Sequence, residues 1–314
     1  MDARSDILRG RDLLSIDDLT LEELRTVLAV SEQFRREGKG AAAGLLADRR
    51  PVVAAIFEKP SLRTRVSIEG SLAVLGGHAI FLGGGDVQLG KRESVEDAGR
   101  CLDRWVDGII ARVFSHRTLR QLAASATVPV VNALCDLEHP MQALADALTI
   151  LQWKGRIEGV KIAWVGDGNN VCTSLMLIAS RLGAHFWSAS PEGFEPDPAM
   201  VDRCRAHGQT SGSRILVTND PLEAADQADV VATDVWASMG QDAEAGKRLI
   251  AFLRYQVNDR LMSYAKPDAM ILHCLPAYRD KEIASELLDS PQSAVWDEAE
   301  NRLHTQKAVF ALTL

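Results

Sequence analysis

Short apolar runs that alternate with helical stretches constrain this chain more than any other feature. Residues 51–57 read PVVAAIF, apolar throughout and partly β-branched, the pattern of a strand buried on both faces. Further strand-like runs fall at residues 79–82, 108–113, 128–132, 161–165, 185–189, 215–217, 229–233 and 269–272. Helical spacing of apolar residues covers 15–36, 64–75, 141–153, 172–182 and 198–207, and helical character returns from about Trp296. Repeated β-α-β units predict an α/β protein whose parallel sheets are covered by helices on both faces. Two doubly wound blocks are expected, which 314 residues are enough to build. The first should span residues 1–140 plus about 293–314, with the C-terminal helix packing back on it. The second should span 150–290, and the long helix at about 141–153 should bridge them.

Bulk properties exclude several classes. A formal net charge of -8 argues against a nucleic-acid partner, which would want a basic face. A small anionic substrate stays admissible, because a local basic pocket can sit in an acidic protein. No apolar stretch approaches the ~20 residues of a membrane span, and MDARSDILRG carries no apolar core of a signal peptide. The five cysteines (Cys101, Cys135, Cys172, Cys204 and Cys274) are odd in number and scattered, with no CxxC pair. Neither a zinc site nor a disulfide framework is expected, and the pattern fits a reducing cytoplasm. No cofactor is predicted.

In open α/β sheets, ligands bind beyond the C-terminal ends of the strands, and the chemically interesting residues cluster there. Ser61, Leu62, Arg63, Thr64 and Arg65 follow the run ending at Phe57 and open a helix. Helix N-termini bind anions through free N–H groups, and hydroxyls and guanidinium forks add donors. An N-cap serine flanked by solvated arginines fits the same residues. Arg112 closes a strand, where a plain surface charge is the alternative. His139 and Gln142, three apart at the start of the 141–153 helix, can face one ligand, although His-Pro is also an ordinary helix start. Gly166-Asp167-Gly168-Asn169-Asn170 lacks the third glycine of a dinucleotide motif. Asp234, after the 229–233 run, could pair with a substrate ammonium, and Ser238 and Met239 follow it. Cys274 lies between His273 and Leu275-Pro276, where a small buried hydrophobe is the plain alternative. Gln88 sits in a glycine-rich loop. His139 and His273 lack ligand-spaced partners, so no metal is predicted.

Taken together, FEKPSLRTR, HPMQALAD, GDGNN, Asp-x-x-x-Ser-Met-Gly, HCLP and the late Arg302 resemble the motifs of the aspartate and ornithine carbamoyltransferase family, in the family's order and over most of the chain. The resemblance implies that Ser61, Leu62, Arg63, Thr64, Gln88, Arg112, His139, Gln142, Cys274, Leu275 and Arg302 bind carbamoyl phosphate. Leu62 stands where many members have threonine and is expected to contribute backbone. Arg112 and His139, with Thr64, would draw electron density from the carbonyl oxygen. Asn170, Asp234, Ser238 and Met239 would hold the amine substrate, which the Ser-Met-Gly segment implies is ornithine. Asp234 and a Cys274 thiolate would assist loss of the amine proton. The implied reaction is direct attack of the amine on the carbamoyl carbon, through a tetrahedral intermediate, to citrulline and phosphate. The resemblance also implies a homotrimer in which Gln88 serves a neighbouring subunit's site, with stacking of trimers compatible with it. Domain closure over the second substrate is a further expectation. Cys172-Thr173, Tyr278 and Asp280 depart from the family's usual residues. A transferase for another amine, a silent binding relative and a nicotinamide dehydrogenase are the competing readings.

Overall fold

A computed structural model describes residues 7–237 and 245–314. Chain contacts divide it into two units, Met1–Ala145 with Glu300–Leu314, and Asp146–Ala299. The boundaries fall inside two helices, α6 (Pro140–Lys154) and α13 (Val295–Thr313).

In the first unit, the expected helix from residue 15 is two pieces. Ser15 caps a single 3-10 turn, Ile16–Asp18, and Thr20 then caps α1 (Leu21–Arg36) through a reciprocal pair with Glu23. Two capping boxes five residues apart stop the chain from running as one helix. The order continues β1 (Val52–Phe57), α2 (Leu62–Leu75), β2 (His78–Gly83), α3 (Gly84–Val87), α4 (Val95–Leu102), β3 (Gly108–Arg112), α5 (His116–Ser125) and β4 (Val130–Leu134). All pairings are parallel, in the order β2-β1-β3-β4. The last strand starts two residues later than its apolar run. Thr127 and Val128 give their N–H groups to the Asp103 carboxylate, and Pro129 has none to give, so the ladder opens at Val130. Ile56, Ile109, Val130, Leu119 and Leu122 fill the core between sheet and helices.

The second unit carries β5 (Lys161–Val165), α7 (Asn170–Leu182), β6 (His185–Ala189), α8 (Pro198–Ser211), β7 (Ile215–Thr218), α9 (Pro221–Ala225), β8 (Val230–Thr233), α10 (Ala245–Phe252), α11 (Asp259–Met262), β9 (Met270–His273) and α12 (Ser285–Leu288). Its five strands are also parallel, ordered β7-β6-β5-β8-β9. The chain winds one way from β5 and then the other, so strand order reverses between β5 and β8. In the first unit it reverses between β1 and β3. Each reversal splays the loops that leave adjacent strand ends and opens a crevice there. Ala163, Val231, Ile271, Phe252 and Val257 anchor this unit's core.

Candidate active site

In the first unit, basic and polar side chains gather after β1 and at the end of β3. Ser61 caps α2: its Oγ accepts the Thr64 N–H at 3.3 Å and lies 3.1 Å from Thr64 Oγ1. Leu62 is the first helical residue and is 74% exposed. Arg63 is half-buried in the same first turn. Arg65 turns away, pairing with Glu69 and lying 3.6 Å over the Phe81 ring. From α13, the buried Arg302 reaches back. It donates through Nη2 to Thr64 Oγ1 (3.1 Å) and through Nη1 to Gln142 Oε1 (2.8 Å). Arg112, at the end of β3, is buried too. Burial first, then the charges of Arg302 and Arg112, hold the His139 imidazole well below its ordinary pKa. It is therefore a neutral ring among fixed cations, suited to hydrogen bonding rather than to carrying charge.

The residue before His139 anchors its loop. Glu138 is 1% exposed, and its Oε2 accepts the Ile16 N–H at 3.1 Å. Its backbone C=O accepts from Cys135 N–H at 2.9 Å. Burial pushes the Glu138 carboxyl up to about 7. Gln88 belongs to the same unit. It ends α3 in a left-handed conformation (φ 48°) and lines a cavity of about 370 Å³ with Glu58, Gly84, Lys91 and Phe114.

In the second unit, the carboxylate of Asp234, just past β8, is buried between two donors. Its Oδ1 accepts from the Cys274 thiol (3.2 Å) and its Oδ2 from Asn169 Nδ2 (2.8 Å). Burial, and then the neighbouring Asp234 and Glu298 carboxylates, push the Cys274 thiol well above its usual range. Beside the Asp234 carboxylate a neutral thiol is favoured over the expected thiolate, since a second negative charge there is unfavourable.

The loop after β9 is clamped by charged groups that sequence reasoning missed. His273 Nδ1 accepts the Leu275 N–H at 2.9 Å, which leaves the ring proton on Nε2, 3.0 Å from Glu282 Oε1. The same oxygen accepts the Tyr278 N–H (2.6 Å), and Glu298 accepts the His273 N–H (2.8 Å). Leu275 is held at φ 56°, unusual for a side chain other than glycine. Asp234, His273 and Cys274 have donor atoms close enough to share a metal ion, the one such group among the described residues. The imidazole has no lone pair to offer, however, because Nδ1 accepts from Leu275 and Nε2 carries the proton.

Asn170 opens α7 and is half-exposed. Asp167, in the same turn, pairs with the buried Arg248 at 2.8 Å. Arg248 also donates to the Trp236 C=O (2.9 Å) and sits 4.8 Å over the Phe194 ring. Ser238 and Met239 lie outside the described residues. Of the missed residues, Asn169 had a readable signal, since asparagine before an apolar helix is a favoured N-cap. Glu282, Glu298 and Arg248 had none.

Residues 11–152 match the carbamoyl-P binding domain of the aspartate/ornithine carbamoyltransferase family, and residues 158–313 match that family's Asp/Orn binding domain. The ornithine carbamoyltransferase of Pyrococcus horikoshii is 50% identical over 307 residues, which cover 98% of this chain and 96% of that protein. An anabolic ornithine carbamoyltransferase from Pyrococcus furiosus is 49% identical, covering 98% and 97%. Among solved structures, the Pyrococcus furiosus enzyme superposes with a TM-score of 0.94 at 50% identity, covering 98% of this chain and 97% of that one. The Thermus thermophilus enzyme does so with 0.84 at 43% identity, covering 96% and 97%.

Proposed function

The chain belongs to the aspartate/ornithine carbamoyltransferase family, and from that premise we propose how its residues divide the reaction. The reaction is transfer of the carbamoyl group of carbamoyl phosphate to the side-chain amine of L-ornithine, yielding L-citrulline and phosphate. The observation that carries the residue assignment is Arg302, whose guanidinium ties Thr64 and Gln142 into one buried group. Three motifs far apart in sequence meet there, which supports an anion site.

The α2 N-terminus, with Ser61, Leu62 N–H, Arg63 and Thr64, takes the phosphate. Arg112, His139 and Thr64 donate to the carbamoyl oxygen, and Gln142 and the Leu275 carbonyl orient the carbamoyl amide. The neutral amine of ornithine attacks the carbamoyl carbon, and the C–N bond forms as the C=O electron pair moves to oxygen. His139 answers that charge as a hydrogen-bond donor without changing its own. The oxyanion then collapses, the C–O bond to phosphate breaks with its electron pair going to the phosphate oxygen, and the nitrogen gives its proton to the departing phosphate. Asp234 receives the amine, and Cys274 contributes a neutral S–H that fixes one Asp234 oxygen. Fixed donors aimed at developing charge supply most of the acceleration in such reactions, and joint binding of the reactants adds to it. Asn170, Ser238 and Met239 are assigned to the ornithine head group and stem.

We also propose a homotrimer in which Gln88 completes the carbamoyl phosphate site of a neighbouring subunit. Its support is the family resemblance of the glycine-rich loop that carries Gln88, which lines a cavity at the end of β1 with Glu58 and Phe114. A cytoplasmic location is supported by free cysteines and by the lack, among the described residues, of any helix long and apolar enough to cross a membrane. The direct test of the amine assignment is product formation from carbamoyl phosphate with ornithine, lysine, putrescine and N-acetylornithine in parallel. Strong preference for ornithine is expected. Preference for another amine would overturn the acceptor assignment and leave the phosphate half standing.

A further inference from the structure

The amide of Asn169 is used at both ends. Its Oδ1 accepts the N–H groups of Val171 (3.0 Å) and Cys172 (3.1 Å), which caps α7, while its Nδ2 donates to Asp234 Oδ2 at 2.8 Å. The orientation is dictated by chemistry: rotated by half a turn, the amide would set oxygen against a carboxylate and N–H against N–H. The turn that carries Asn169 is itself fixed. A Cβ on Gly168 would meet Pro196 N at 2.2 Å, so only glycine lets the turn lie against residues 195–196. Arg248 pins Asp167 in that turn and the Trp236 carbonyl two residues past Asp234. Asp234 therefore meets the Asn169 amide across a rigid spacing, with its other oxygen held by Cys274.

We propose that Asn169 is a positioning residue for the reaction: its amide N–H sets the rotamer of Asp234 and so aims the carboxylate that receives the ornithine amine. This role rests on the assignment of Asp234 above and is separable from the helix cap. Serine and aspartate cap helices about as well as asparagine. Asn169→Ser keeps a capping oxygen but leaves no donor to reach Asp234. Asn169→Asp keeps shape and cap but turns a second carboxylate oxygen on Asp234, which is repulsive.

Thermal stability, kcat and the KM of each substrate should be measured for both variants and wild type. Both variants should melt near wild type and keep the carbamoyl phosphate KM within about twofold, as expected of a retained cap. Ornithine kcat/KM should fall about tenfold in Asn169→Ser, the loss of one hydrogen bond to a charged group, and further in Asn169→Asp. Two results overturn the inference: Asn169→Asp with unchanged ornithine kcat/KM, or both substrates weakening together as stability drops. Wild type in the same assay separates the two failures. If it does not carbamoylate ornithine, the functional reading itself falls. If it does and the variants match it, only the role of Asn169 falls.

Discussion

Buried ionisable side chains carry most of the chemistry assigned to this protein, and each responds to a specific change. Arg63 brings a fork of charged donors to the first turn of α2. Arg63→Ala should raise the carbamoyl phosphate KM by about 30-fold or more, the equivalent of about 2 kcal/mol for a charge-assisted bond, with ornithine KM little changed. Initial-rate kinetics with each substrate varied would show the reverse pattern if the phosphate assignment were wrong. Glu138 makes a different test. Its folded pKa of about 7 lies above the ordinary carboxyl value of 4.5. The native state therefore holds a proton that the unfolded chain has released between those pH values. Stability falls as pH rises through that window, by at most about 3 kcal/mol in total. Glu138→Gln removes this proton. Denaturant unfolding between pH 5 and 8 should show a flatter pH dependence for Glu138→Gln than for wild type, and parallel curves would refute it. At this scale the sequence was legible where a motif placed a residue at a strand end or helix start, as with Ser61, Arg112, His139 and Asp234. Glu282, Glu298 and Arg248 were not legible, because a lone charge in a helical stretch reads as solvated until its burial is known.

Elements position these residues through their ends. The turn from β5 into α7 and the start of α10 are joined by the Arg248–Asp167 ion pair, with both partners buried. Arg248→Met should destabilise the protein by about 3 kcal/mol, since it leaves a carboxylate buried without its cation. Adding Asp167→Asn should restore part of that loss, because the stranded charge is gone. Denaturant melts of the two single variants and the double variant check this, and strict additivity would count against the pair. Strand positions were readable from apolar runs because both faces of these parallel sheets are covered. The start of β4 was not, because it depends on where Asp103 spends its oxygens. The break between the first 3-10 turn and α1 was written in Ser15, Thr20 and their acidic partners. Apolar periodicity ran straight through it.

At the level of the whole molecule, the proposed sharing of the site between subunits makes a prediction that no single subunit can satisfy. At carbamoyl phosphate concentrations well below the raised KM of Arg63→Ala, Arg63→Ala and Gln88→Ala should each be nearly inactive alone. Dissociated and reassociated together at equal amounts, they should regain about a quarter of the wild-type sites, those pairing an intact Arg63 with a neighbour's intact Gln88 in a closed ring. Activity equal to the plain average of the two variants would place Gln88 within its own subunit's chemistry or outside the reaction. The two-unit plan was visible in the alternation of strands and helices. The return of the last helical residues to the first unit was expected from the order of the blocks, although periodicity itself does not say where a helix docks.

That return has a consequence for how the protein is made. Residues 300–314 complete the unit that begins at the N-terminus. Among them are Arg302, which binds Thr64 and Gln142, and Lys307, whose ammonium is surrounded by the carbonyls of Gly38, Lys39 and Ala41. On the ribosome, the unit translated first is therefore finished last. A nascent chain that has emerged only as far as Ala299 holds every residue of the second unit, while Thr64 and Gln142 still lack the guanidinium that ties them together. The first unit is thus closed by a hydrogen bond between residues 238 apart in sequence, which can form only after the second unit has been made.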